Sequence, residues 1–207
     1  MPTSAHRDEG YIKFSFAHEP APPPAHPLLH DLMRVRDDLR EWNLVGVLPD
    51  GVGYGNASAR IDPSGRFIVT ASGTGAAFPS EPRHFCVVTS FDVPRNRVEC
   101  RGPLPASSES MSHGAVYAAR PDARAVVHVH DRLAFQLLLR EGAPATPPDA
   151  AFGTPEMALA VGRLAAALPP VAVMAMAGHP DGLIAFAPDL RSARDALWNV
   201  FSRARRQ

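Results

Sequence analysis

Apolar positions recur along the chain with two different periods, and each period predicts its own kind of element. Leu28, Leu29, Leu32, Val35, Leu39 and Trp42 fall near helical spacing and predict a helix over 28–42, with no obvious capping residue before it. Short apolar runs at about 56–61, 66–71, 84–91 and 96–100 predict strands, separated by turn chemistry at Asp62-Pro63-Ser64-Gly65 and Pro94-Arg95-Asn96. A helical stretch then follows Glu109 and runs to Arg120, where Arg120-Pro121-Asp122 turns the chain into the run Ala125-Val126-Val127-His128-Val129-His130. That run is a predicted buried strand. Asp131 suits the N-cap of a helix ending at Arg140, and residues 141–151 form a proline-bearing loop. Thr154 and Pro155 start a helix that reaches Leu168, where Pro169 and Pro170 stop it. Val171–Ala175 and Leu183–Phe186 are two further predicted strands, and a last helix runs from Asp189 to about Ala204. Arg203, Arg205 and Arg206 at its end complement the negative end of the helix dipole.

Residues 1–27 break this pattern. They include the strand-like Tyr11–Phe16 and the proline-dense Pro20–Pro27, which together predict an extended arm, lying on the body or on a neighbour, ahead of a domain over 28–207. With 45% apolar and 20% charged residues, a chain of 207 residues has material for one sizeable core. Its formal net charge of zero provides no field for nucleic acid or an anionic membrane surface. No stretch approaches the roughly 20 apolar residues of a membrane span, and no secretion pattern opens the chain, so the expected location is cytoplasmic.

Composition also narrows the chemistry. Lys13, in the arm, is the only lysine, so a Schiff-base mechanism lacks a desolvated lysine to carry it. The many arginines read as a composition effect and not as a phosphate-binding array. Cys86 and Cys100 form no CxxC and read as strand residues, the alternative being a cysteine nucleophile paired with His84. Gly51-Val52-Gly53-Tyr54-Gly55 is neither GxGxxG nor followed by GK[ST], so no nucleotide fingerprint is present.

The positive signal is His128-Val129-His130. Alternation along a strand sends both imidazoles to one face with their Cα atoms roughly 6.6 Å apart. Two imidazoles so placed can converge on one metal ion at about 2.1 Å each. A helix followed by a returning strand can also bring Glu109, in the polar knot Ser107-Ser108-Glu109-Ser110, beside the pair. A carboxylate next to a metal and two imidazoles is an acid/base site in outline.

The sequence resembles the class II aldolase/adducin family from about Gly55 to Leu197. The resemblance is carried by Gly55-Asn56-Ala57-Ser58-Ala59-Arg60, Thr70-Ala71-Ser72-Gly73-Thr74, Ser107-Ser108-Glu109, His113 with Tyr117, Arg120-Pro121-Asp122, His128-Val129-His130, Phe152-Gly153-Thr154, and Gly178-His179 ahead of Gly182. It implies a single three-layer α/β/α domain with a mostly antiparallel central sheet, assembled as a homotetramer. It also implies an aldolase-like, metal-dependent lyase that forms an enediolate from a small hydroxy-carbonyl substrate such as a sugar phosphate. Epimerase, dehydratase and decarboxylase chemistry, or a noncatalytic adducin-like binding module, are the alternatives. By resemblance, His128, His130 and His179 hold one divalent ion per chain, zinc first, with manganese, cobalt or iron as alternatives. Glu109 is the implied acid/base, while Asn56, Ser72, Gly73, Ser107 and Ser108 match phosphate-binding positions. Two helix-capping serines are the plain alternative for Ser107 and Ser108; His113 reads as a hydrogen-bonding structural residue and Tyr117 as core. The chain departs from the family in two places. Pro180 follows His179 where glycine is usual, and the loop 141–151 lacks the expected acid/base tyrosine, for which Tyr54 and Asp149 are the candidate substitutes.

Overall fold

The computed structural model describes residues 12–206, so Tyr11 of the strand-like run lies outside the described residues. In chain order the elements are β1 (Ser15–Pro20), α1 (Leu28–Glu41), β2 (Gly46–Val47), β3 (Gly53–Tyr54), β4 (Asn56–Arg60), β5 (Phe67–Thr70), β6 (Phe85–Asp92) and β7 (Arg97–Gly102). The second half supplies α2 (Ser110–Ala119), β8 (Ala125–His130), α3 (Arg132–Arg140), α4 (Pro155–Ala167), β9 (Ala172–Ala175), β10 (Gly182–Ala187) and α5 (Leu190–Ala204).

Eight strands make one sheet in the order β1-β7-β6-β5-β4-β8-β10-β9. Every pairing in it is antiparallel except β1 on β7. Alternation along β8 shows how the layers form. Ala125, Val127 and Val129 join the core under α1, α3 and α5, while Val126 joins the opposite core under α2 and α4. The result is the three-layer α/β/α arrangement with a mostly antiparallel sheet that the sequence implied. Among the described residues no helix is long and apolar enough to cross a membrane.

Local chemistry explains most element ends. Asp131 accepts a hydrogen bond from the Ala134 N–H at 2.8 Å, Thr154 from Met157 at 3.3 Å and Asp189 from Ser192 at 2.8 Å, so three helix starts are capped by side chains. Helix α1 starts at Pro27 without a side-chain cap. Ser107 and Ser108 do not cap α2. Glu109 holds the N-cap position, and the Ser107 backbone carbonyl accepts from the Ser110 N–H and hydroxyl.

Two features lay outside the sequence pattern. Ser15–Pro20 of the expected arm adds a parallel edge strand to β7. The glycine-rich Gly51–Gly55 stretch supplies β3, which closes a two-strand hairpin with β2. The cysteine nucleophile finds no geometry either, because Cys86 and Cys100 are buried in the core and His84 accepts from the Glu81 N–H at 2.9 Å.

Beneath α2 lies a polar network sealed from solvent. The Ser58 hydroxyl is 2.7 Å from His113 Nδ1 and 2.8 Å from the Tyr117 hydroxyl. Arg60 donates to the carbonyls of Tyr117 and Arg120. Burial holds the His113 imidazole down to about 3, against an ordinary 6.5, and pushes the Tyr117 phenol up. His113 is therefore neutral when folded, whereas an unfolded histidine binds a proton as pH falls through its ordinary range. The unfolded state then holds the extra proton, so stability falls as pH drops from about 6.5 toward 3. Between pH 7 and about pH 5 the wild type should lose roughly 2 kcal/mol more unfolding free energy than His113→Asn. Equal losses by urea titration would contradict a neutral, buried His113.

Candidate metal centre

The site is assembled at the α2 face of the sheet by three neighbouring strands. On β8 the side chains of His128 and His130 follow Val126 onto that face. In the sheet register Asn56 of β4 and Ile184 of β10 lie on either side of His128, and Gly182 lies opposite His130. His179 arrives from the turn joining β9 to β10. There its N–H donates to the Met176 carbonyl at 2.8 Å and its own carbonyl accepts from Gly182 at 2.9 Å.

Two glycines give this turn its room. A Cβ added to Gly178 would lie 1.9 Å from the Ala150 carbonyl oxygen, a distance that no side chain can occupy. A Cβ at Gly182 would lie 3.2 Å from His179 Cγ and 3.3 Å from His128 Cε1, wedged between the two rings. Pro180 disturbs nothing, because the turn's hydrogen bonds are donated by Met176, His179 and Gly182.

One ring nitrogen from each of His128, His130 and His179 lies within 4.8 Å of the others. His128 Nδ1 is 3.0 Å from the Leu183 carbonyl oxygen, which can only accept, so the proton sits on Nδ1. The lone pair of His128 Nε2 is thereby turned to His130 Nε2, 3.0 Å away. Nitrogens bonded to a zinc-sized ion at about 2.1 Å stand roughly 3–3.5 Å apart, so small ring adjustments suffice for this set to hold one. Three imidazoles and no cysteine leave a coordination position open, the arrangement of a catalytic rather than a structural site.

The surroundings hold the rings in place. His128 and His179 stack with centroids 4.9 Å apart, and Phe152 stacks on His179 at 4.4 Å. Lys13 Nζ lies 3.8 Å from the centroid of the Phe152 ring. His128 and His179 are buried, while half-buried His130 meets the Tyr54 ring edge-on at 5.8 Å. Glu109, only 3% exposed, places Oε1 3.9 Å from His179 Nδ1, and its Oε2 accepts from the Ser112 hydroxyl at 2.8 Å.

Beside the histidines opens a cavity of about 260 Å³. Asn56, Ser72, Gly73, Ser107 and Ser108 all line it, together with Glu109. Two loops close one side of it. The Ser72 N–H donates to the Pro105 carbonyl at 2.8 Å and the Ser107 N–H to the Thr70 carbonyl at 3.2 Å. Ser72 thus lines the cavity with its backbone N–H engaged by Pro105. Tyr54, Thr70, Thr74 and Arg36 also line the wall. Of these, Arg36 carried a readable signal: it occupies an apolar-face position of α1, four residues after Leu32.

With this geometry in place, comparison with known proteins becomes specific. The family model described as Class II Aldolase and Adducin N-terminal domain matches residues 50–207. The chain belongs to this family. Among solved class II aldolase-like structures, L-fuculose-1-phosphate aldolase from Thermus thermophilus is 25% identical, with a TM-score of 0.64 over 86% of this chain and 91% of that one. A sugar-phosphate aldolase from Thermotoga maritima is 16% identical, with a TM-score of 0.67 over the same shares. YgbL from Klebsiella pneumoniae is 21% identical, with a TM-score of 0.64 over 86% of each chain. No curated protein sequence matches at a significant level. The family assignment and the Thermus relative support an aldolase-like function, and class II aldolases are typically divalent-metal dependent.

The packing of the β9–β10 turn predicts a specific intolerance. Gly178→Ala should lower the unfolding free energy by about 2 kcal/mol or more, because its methyl group meets backbone and not a side chain that can swing away. An unchanged denaturation midpoint would show that the turn does not hold His179 in this way.

Proposed function

We propose that the protein is a divalent-metal-dependent, aldolase-like lyase acting on a small hydroxy-carbonyl compound with a phosphate at one end. The observation that carries this reading is the position of Glu109, a buried carboxylate that stands against His179 and also lines the cavity. In this reading His128, His130 and His179 hold one divalent ion, zinc in first place and manganese, cobalt or iron as alternatives. The bound ion supplies Lewis-acid polarisation of substrate oxygens.

The chain's own residues do the rest. Glu109 takes and returns the proton at the carbon beside the carbonyl, and the Ser112 hydroxyl fixes the orientation of its carboxylate. Asn56, Ser72, Gly73, Ser107 and Ser108 bind the phosphate end through short amide, hydroxyl and backbone donors. Tyr54 is the better substitute for the family's missing tyrosine, because it lies in the cavity wall against His130. Asp149 is exposed and outside that wall. Epimerase, dehydratase or decarboxylase activity would use the same residues on a different bond. The reading also takes residues 28–207 as the catalytic domain of a cytoplasmic homotetramer, with residues 1–27 as its arm.

Protein isolated without chelator should carry close to one divalent ion per chain by elemental analysis. His128→Ala should lose it, since a three-ligand site tolerates the loss of one poorly. Metal-free wild type that takes up neither zinc nor manganese would end the reading. Glu109→Gln should keep fold and metal content but lose turnover by about 10²–10⁴-fold, because an amide cannot accept the proton. Undiminished turnover would remove Glu109 from its role.

A further inference from the structure

Arg36 is the one charged residue that α1 buries, and it is 0% exposed. The helix turns it inward with Leu32 and Leu39, against the loop that follows β5. There Nη1 donates to the Ala77 carbonyl at 2.7 Å and to the Ser80 hydroxyl at 2.8 Å, and Nη2 donates to the Thr74 carbonyl. This is the loop that carries Ser72, Gly73 and Thr74 into the cavity, and Arg36 itself forms part of the wall. The Arg36 guanidinium is poorly compensated. Its counter-charge Asp37 stands 3.9 Å away and is a quarter exposed, and that carboxylate also accepts hydrogen bonds from the Ser80 N–H and hydroxyl. Arg40 adds a second positive charge nearby. Burial lowers the Arg36 pKa, yet a guanidinium does not give up its proton. Among the described residues of the cavity wall, Arg36 and Glu109 alone carry a formal charge. Two buried polar atoms there, Arg36 Nε and Asn56 Oδ1, make no hydrogen bond to the protein.

A buried cation with a distant, shared partner is costly unless a further negative charge compensates it. We propose that Arg36 makes the cavity select a dianion, acting through its electric field from behind the hydroxyl and amide donors that touch the ligand. This inference rests on the reading of the cavity as the phosphate end of the substrate site. It adds a specificity: phosphate monoesters in the dianionic form are preferred over carboxylates and neutral sugars of the same size. Fully buried, the guanidinium acts across a thin layer of low dielectric, where Coulomb attraction is several times stronger than in water. The alternative is that Arg36 only staples the loop. The two roles differ in sign at Asp37. Asp37→Asn keeps an acceptor for Ser80 but removes the charge that partly cancels Arg36.

The test is calorimetric titration of metal-loaded protein with inorganic phosphate at about pH 8 and low salt. Wild type should bind phosphate, and Ser108→Ala should weaken that binding. No binding, or binding unaffected by Ser108→Ala, would overturn the cavity reading itself and Arg36's role with it. If the cavity does bind phosphate, Asp37→Asn should tighten it by about threefold, Arg36→Lys should stay within about threefold of wild type, and Arg36→Gln should lose at least about tenfold. Weaker or unchanged binding in Asp37→Asn, or equal losses in the two Arg36 variants, would leave the cavity reading standing and overturn the charge role. Should Arg36→Gln fail to fold, the sign of the Asp37→Asn effect decides alone.

Discussion

The site depends on the antiparallel register of β8 with β4 on one side and β10 on the other. Because side chains alternate with a period of two, a slip of one residue would turn His128 and His130 into the apolar core under α1, α3 and α5. That outcome is resisted by the valines and alanine of β8, which fill both cores only in the observed register. The same register lines Asn56 up with His128, and it brings Gly182 beside His130. A structural constraint of the sheet thus also sets the geometry of the candidate centre.

Much of this was readable in the sequence, because it is local. Alternation in β8, the capping chemistry of Asp131, Thr154 and Asp189, and the prolines that end α4 each act within a few residues. The features that escaped reading are those that join distant parts of the chain. Nothing in Ser15–Pro20 announces a parallel pairing with β7, far along the chain. Nothing beside Phe152 in the sequence announces that its ring stacks on His179. Arg36 is an intermediate case: its place on the apolar face of α1 was visible, but an inward arginine at one position is easily lost among the many on the surface. For Ser107 and Ser108 the resemblance implied phosphate-binding positions and their residue type a helix cap; they line the cavity, and Glu109 takes the N-cap.

The protein spends stability on this region. Close to Glu109 and the histidines it buries Ser, Thr and Asn side chains, and in the same cavity wall an arginine. Natural folds tolerate such polar groups where a ligand or an ion completes their interactions. Under α2, Ser58 joins His113 Nδ1 and the Tyr117 hydroxyl within the chain, on the helix whose N-cap is Glu109.

In the proposed centre, three histidines from one strand and one turn share a single ion next to Glu109. This arrangement is tested most directly by anomalous diffraction from crystals of the protein grown with zinc or manganese and measured at the metal's absorption edge. One peak per chain is expected, at about 2.1 Å from a ring nitrogen of each of His128, His130 and His179. A peak elsewhere, or none with the three rings unmoved at full metal concentration, would contradict it.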